Sequence, residues 1–390
     1  SPTTMAPTVE TWVQLGLDID GAQEDDQMGR SVCMAADGFT VAMGANFNDG
    51  GGLNAGFVRV VRYDTGTFSW VQVGEDIEGR ANEQYGIGCA MSANGGIVAI
   101  LGSNFVDVYA LVVSAWEQRG NRVSSAGGTT PVALSSNGGI MAVGRGTSNV
   151  ARVFAYNSNL NMWEQRGQDL LGDGGTDSFG QSVSLSSNGI TLAVGASRNT
   201  NSVGQAKVFS YSAATNWTQV GDDLLGEAEG DSFGYAVDLS GDGITVAVGG
   251  HLYDAGGATG DNYGLVRVFT FAAGGWVQLG QDINGSAQGD QLGAKVALSL
   301  DGRTVVVSST EHDLDNGRTN VGYVRILDFS GGSWVQRGTD IYGESPHDRF
   351  GSSIAISDSG RMVAAGAPFN DNDGRTNAGA VRVFQWLGLI

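Results

Sequence analysis

The sequence predicts an all-β, seven-bladed β-propeller with four antiparallel strands per blade, and three observations carry that prediction. One phrase recurs along the chain: WVQLGLDI at Trp12–Ile19, with related copies beginning at Trp70, Trp116, Trp163, Trp217, Trp276 and Trp334. The copies stand roughly 46 to 59 residues apart, the length of a four-stranded blade. Between copies lie short runs of Val, Ile and Ala bounded by Gly, Asn and Asp, which read as strands with no competing helical period. Finally, the first phrase precedes every other strand-like run, and the last set of runs, ending AVRVFQW, has no phrase after it. In a ring those leftovers are partners, so the strand at 12–19 is expected to pair with the last blade and remove two exposed edges.

The unit that begins at Trp334 shows the elements in order. After WVQRGTDI comes a polar stretch, then SSIAIS (strand A, from Ser352), a turn, RMVAAGA (strand B, from Arg361), a polar loop PFNDNDGRTNAG, and AVRVFQW (strand C, from Ala380). The WVQ phrase is strand D. Its Trp and Gln point to one face and the intervening residue to the other, so the seven Trp are expected to pack between neighbouring blades, each burying a large ring. The Gly that follows each Gln fits a bulge or a close backbone approach.

Composition agrees. The chain has 390 residues, 41% hydrophobic, with 63 Gly and 5 Pro, enough apolar content for a core and enough Gly for many tight turns. Residues 1–11 read as a linker or a mature end exposed by trimming, and residues 12–390 as a single propeller domain. No apolar run is long enough to span a membrane as a helix. A net charge of −20 disfavours nucleic acid and anionic membranes as partners.

Loop lengths carry the functional signal. The A–B and C–D turns are short, whereas the D–A loops (DIDGAQEDDQMG, DDLLGEAEGDSFG) and B–C loops (TEHDLDNGRTNVG, HLYDAGGATGDNYG) are long and polar. They hold most of the 41 carboxylates and all three His (His251, His312, His347), so one face is expected to be acidic and to be the working surface. The sector at about residues 100–155 should be lower and less negative, because its loops are short and it carries Arg119, Arg122, Arg145 and Arg152. Calcium is the one cofactor the pattern suggests. Asp313 and Asp315, and Asp371 and Asp373, alternate with Asn and Gly in turns, the oxygen chemistry that ion prefers, though a solvated turn explains them as well. The Asp that precedes the D–A loop's end (Asp26, Asp177, Asp231, Asp290, Asp348) is expected to cap a turn through backbone N–H groups. His347, beside Asp348, has no Cys or second His near it and is read as structural rather than as a base or zinc ligand.

Phe350-Gly351 followed by Gly366-Ala367-Pro368 resembles the FG-GAP repeat of integrin α-subunit propellers and of many secreted repeat proteins, with weaker copies at Phe179-Gly180 with Gly195-Ala196 and at Phe233-Gly234 with Gly249. The resemblance implies a propeller at the cell surface or outside the cell. The family's calcium loop between FG and GAP does not carry over, because here that interval is a tight turn with at most one acidic residue.

No nucleophile elbow, zinc-protease helix or phosphate loop is present. The leading expectation is a non-catalytic extracellular binding or adhesion module that presents its acidic face to a protein or glycan, within a larger chain or assembly. A lectin or carbohydrate-active enzyme and a purely architectural domain are the alternatives. Two sequons, at Asn216 and Asn284, fall in predicted exposed loops and fit secretion. Cys33 and Cys89 lie on the innermost strands of blades one and two with opposite parity. They therefore either face each other as a disulfide or point apart as buried thiols, and the burial habit of free Cys favours the thiols.

Overall fold

In the computed structural model, which describes residues 10–125, 131–174, 177–198, 203–254, 260–314, 317–372 and 374–388, seven antiparallel sheets stand around one axis. Each sheet has the order A-B-C-D from the axis outward, and a two-residue continuation of D, here D′, pairs further along C. Blade one is typical: A is Ser31–Met34, B is Thr40–Ala45, C is Phe57–Asp64, D is Ser69–Gln72 and D′ is Ile77–Glu78. The described residues contain no α-helix, and a single 3-10 turn at Gly146–Ser148.

In blade seven the outer strand comes from the other end of the chain. Thr11–Gln14 pairs antiparallel with Ala380–Leu387, Trp12 opposite Trp386 and Gln14 opposite Phe384, and Ile19 then pairs with Val381. The WxQxGxDI phrase is thus two short strands joined by a kink rather than one continuous strand. Its Gly makes the kink: Gly16 has φ +73, and a Cβ there would meet Cδ1 of Trp70 at 2.9 Å.

The core is divided among the blade interfaces. Seven clusters of buried apolar side chains occur, each drawn from two neighbouring blades; Val41 and Met43 of blade one, for example, pack against Met362 and Ala364 of blade seven. Strand B is covered on both faces by neighbours, so Thr40–Ala45 and Met362–Ala367 are buried throughout and are apolar without strict alternation. Where strand B of one blade approaches the start of strand A in the next, two backbones touch: a Cβ on Gly195 would lie 1.9 Å from the carbonyl oxygen of Gly234.

Two circuits of hydrogen bonds tie the blades together. At the rim, the indole Nε1 of each Trp of the repeated phrase donates to the carbonyl just past strand D of the preceding blade: Trp70 to Leu15, Trp116 to Val73, Trp163 to Arg119, Trp217 to Arg166, Trp276 to Val220, Trp334 to Leu279 and Trp12 to Arg337, all at 2.7–2.9 Å. Near the axis, the A–B turns are linked backbone to backbone. Ala36 N–H donates to Ala93, Ala93 to Ser136, Ser136 to Ser187, Ser187 to Gly241, Gly241 to Leu300, Leu300 to Asp358 and Asp358 back to Ala36. The circuit returns to its start.

Cys33 and Cys89 form a disulfide between the inner strands of blades one and two, with Cα atoms 5.9 Å apart. This corrects the expectation of two buried thiols. Opposite parity here turns the side chains toward one another, because consecutive inner strands present facing surfaces across the interface.

Deleting residues 1–20 removes the outer strand of blade seven, the Trp12 bond and the cover over Ala380–Leu387. We predict a lower, broader melt with aggregation, read by calorimetry and light scattering. A monomer with an unaltered melt would refute the structural role given to this strand.

Candidate functional site

The long loops gather at the end of the ring opposite the circuit of A–B turns. Strands B and C are joined by residues 46–56, 197–204, 251–264, 310–322 and 368–379 in five blades, but by 102–104 and 146–149 in blades two and three. The result is an incomplete wall with a low sector over those two blades, as the loop lengths in the sequence imply.

The D–A loops are organised by their buried Asp. Asp26 accepts N–H bonds from Ala22 and Gln23, Asp177 from Asp173 and Gly174, Asp231 from Glu227 and Ala228, Asp290 from Ser286 and Ala287, and Asp348 from Glu344 and Ser345. These are the turn caps expected of them, and all five side chains are buried. A second donor reaches three of them from the B–C loop: Asn48 Nδ2 to Asp26 (2.8 Å), Asn370 Nδ2 to Asp348 (3.1 Å) and His312 Nδ1 with Asp290 (2.7 Å). His312 therefore stands where other blades use an amide, and its pairing with Asp290 is a loop tie. His347, on the exposed surface, lies 3.5 Å from the Thr319 hydroxyl.

The repeated phrase also builds a clamp. Its Gln donates to its Asp four residues on, at 2.6–2.9 Å, in Gln14–Asp18, Gln72–Asp76, Gln165–Asp169, Gln219–Asp223, Gln278–Asp282 and Gln336–Asp340. In four blades an Arg of strand C closes on the same Asp through two nitrogens: Arg59 on Asp76, Arg152 on Asp169, Arg267 on Asp282 and Arg325 on Asp340. Blade two reverses the charges. Asp107 occupies the strand-C position and Arg122 the phrase position, and the pair still forms at 2.7 Å, with Tyr85 donating to Asp107 and Glu83 joining Arg122. Much of the acidity counted on this face is therefore bound up in caps and clamps.

The B–C loops carry their own latch. Asp49 accepts the N–H of Asn54, Asp254 that of Asn262, Asp313 that of Asn320 and Asp371 that of Asn377, at 2.7–2.9 Å, and each Asn has positive φ. Asp313 and Asp371 thus each spend one oxygen on their own loop. Asp315 and Asp373 lie outside the described residues. Among the described residues no cluster of three or more His, Cys, Asp or Glu is placed to hold a metal. Asn216 and Asn284 are both exposed, at the start of strand D in blade four and in D′ of blade five.

Cavities of two kinds open on the face among the described residues. An acidic groove of about 520 Å³ lies over blades seven and one, lined by Glu24, Asp25, Asp26 and Asp49 among others. The channel mouth holds about 510 Å³ and is different in character: Arg30, Lys295 and Arg349 face it against one carboxylate, Glu311, with Gln181, Gln291, Tyr235 and His251 beside them. Burial, aided by the Lys295 charge, pulls His251 down to about 4, so it is neutral at physiological pH. Burial and the nearby Arg30 lower the pKa of Lys295, which solvent reaches through a channel otherwise walled by protein. Deeper along the inner strands, Asp238 of blade five accepts Ser184 Oγ of blade four (2.6 Å) and Leu298 N–H of blade six (2.7 Å), and burial pushes it up to about 6. Nothing in the local sequence marks Lys295 or Asp238; only the ring brings the charge of Arg30 near the first and the bonds of Ser184 and Leu298 to the second.

Comparison with known proteins adds the class. Residues 343–384, from the D–A loop to strand C of blade seven, match the family model described as FG-GAP repeat. The chain is a seven-bladed β-propeller carrying an FG-GAP repeat in its last blade. No curated protein sequence matches it. Among solved structures, it is similar to Kuenenia stuttgartiensis Hydrazine Synthase, with TM-score 0.54 and 13% identity over 90% of this chain and 94% of that chain. At that identity the likeness is one of fold. No helix among the described residues is long and apolar enough to cross a membrane.

Arg59→Asp or Asp76→Arg alone should destabilise blade one, and the double reversal should recover about 1 to 3 kcal/mol of coupling in a denaturant cycle, as blade two already implies. Additive losses would show the clamp to be inert. For Asp238, a folded pKa above the unfolded value means its contribution is fully present below about pH 4 and lost as pH rises through about 6. Asp238→Asn should therefore raise stability at pH 7 and flatten the stability profile between those values; an unchanged profile would remove Asp238 as its source.

Proposed function

We propose that the propeller is a non-catalytic extracellular or cell-surface binding module whose loop face engages a protein or a glycan. The observation that carries this reading is the inequality of the two ends. One is a closed circuit of short turns bonded backbone to backbone, while the other projects long loops from five blades beside a low sector over blades two and three. A rigid ring that displays variable loops is the usual arrangement for recognition. The bonded state of the carboxylates supports a non-catalytic role, since the buried Asp of the D–A loops and the Asp of the clamps already serve the scaffold.

The compartment rests on three supports: the Cys33–Cys89 disulfide, which persists in oxidising surroundings; the exposed sequons at Asn216 and Asn284, which we take as glycosylation sites; and the FG-GAP repeat at 343–384. Calcium assistance belongs to the proposal on the sequence pattern of Asp313, Asp315, Asp371 and Asp373.

Glycan arrays and crosslinking to surface proteins of the native source test the reading. We expect saturable binding that Glu24→Gln with Glu229→Gln on the loop face weakens and that Asn94→Ala in an A–B turn leaves intact. Binding through the A–B turns, or turnover of a bound polysaccharide, would overturn it. Chelator should lower the melting temperature if calcium is bound; an unchanged melt removes calcium from the proposal and leaves the rest.

A further inference from the structure

We propose that the mouth of the central channel is a binding site for a small oxyanion, a carboxylate, sulfate or phosphate group, held between Arg30 and Lys295. In a chain with 21 cationic and 41 acidic residues, cations are scarce and the structure spends them carefully. Lys207, the other lysine of the sequence, is bonded to Asp173 at 2.6 Å and lies 3.4 Å from Asp223. The strand-C Arg of four blades each close on an Asp of the repeated phrase. Arg30 and Lys295 are treated differently. Both line the channel mouth, and among the described residues neither side chain makes a hydrogen bond or ion pair. The one carboxylate of the lining, Glu311, is engaged by Arg349 at 3.4 Å.

The position of Lys295 makes the same point from another direction. It is the second residue after the Gly that opens strand A, a place held by Ser31, Gly88, Ser182, Ala236 and Ser353 in other blades. There the Ser hydroxyls donate to a carbonyl of the following blade: Ser31 to Gly86, Ser182 to Gly234 and Ser353 to Gly29, at 2.8–2.9 Å. Blade six gives up that bond and places a long cation in the channel instead. Blade packing does not require it, and the like charge of Arg30 nearby opposes it.

A small oxyanion resolves the conflict. It supplies several acceptors to two cations at once, relieves their repulsion, and leaves Gln181, Gln291 and Tyr235 at the same mouth for its remaining oxygens. His251, neutral and with a buried Nδ1 that lacks a hydrogen-bond partner, adds polarity without a competing charge. The acidic loops around the mouth repel long polyanions, so the site selects a compact group over a charged polymer.

Melting curves and titration calorimetry in sodium sulfate, phosphate and malonate, at ionic strength matched with sodium chloride, test the proposal. We expect a saturable rise in melting temperature with at least one oxyanion over chloride. Lys295→Met and Arg30→Gln should each weaken that binding by about tenfold or more, while Arg80→Gln on the outer surface does not. In chloride the two channel variants should melt at or above the parent, since each removes one of two repelling charges, and this shows that they fold. The ranking of the three anions identifies which oxyanion the site takes. No oxyanion-specific shift, a shift undiminished in both variants, or preferential binding of heparin would each overturn the proposal.

Discussion

Everything else in this molecule depends on how one blade is fastened to the next. A four-stranded sheet has two apolar faces and two unpaired edges, and alone it would be marginal. Here each face is covered by a neighbouring blade and the outer edge is drawn in by an indole, whose N–H bonds to a carbonyl of the blade before it. A net gain of about 0.5 to 1.5 kcal/mol for one such bond is modest. Repeated at every joint, and joined by the backbone circuit at the A–B turns, it sets the angle at which each blade meets the next. Close approach is needed for both circuits, which explains the Gly beside each Trp at the rim and the Gly of the A–B turns, such as Gly38 against Met362 and Gly243 against Thr191 of the preceding blade.

The ring is held by its rim and its A–B end, with three Ser hydroxyls tying blades together at the opposite end, and beyond these the long loops hold themselves. They do so with carboxylates. Buried Asp caps the D–A loops, Asp–Asn latches close the B–C loops, and Gln–Asp–Arg clamps fix D′ against strand C. The reversal in blade two, Asp107 against Arg122, shows that the clamp requires opposite charges and not a given residue at either place. It follows that net charge is a poor guide to this surface. An acidic composition becomes a face on which many of the acids are occupied, while at the channel mouth Arg30 and Lys295 stand without an ion-pair partner among the described residues.

The sequence alone determined the propeller, the number of blades, the strand order and the place of the long loops, because these rest on local periodicity and on a phrase repeated once per blade. Trp packing and the capping Asp were legible for the same reason: each interaction spans a few residues or recurs with the repeat. Tertiary structure alone decided the pairing of Cys33 with Cys89, since strand parity allowed both a facing and a diverging arrangement and only the stacking of blades chooses between them. It also decided which acids remain available, because the strand-C Arg meets the phrase Asp only once register is set. The meeting of Arg30 with Lys295, and of Ser184, Asp238 and Leu298 from three successive blades, lies furthest from the sequence. A closed ring brings to one axis residues that no local pattern relates, and the chemistry of the channel exists only there.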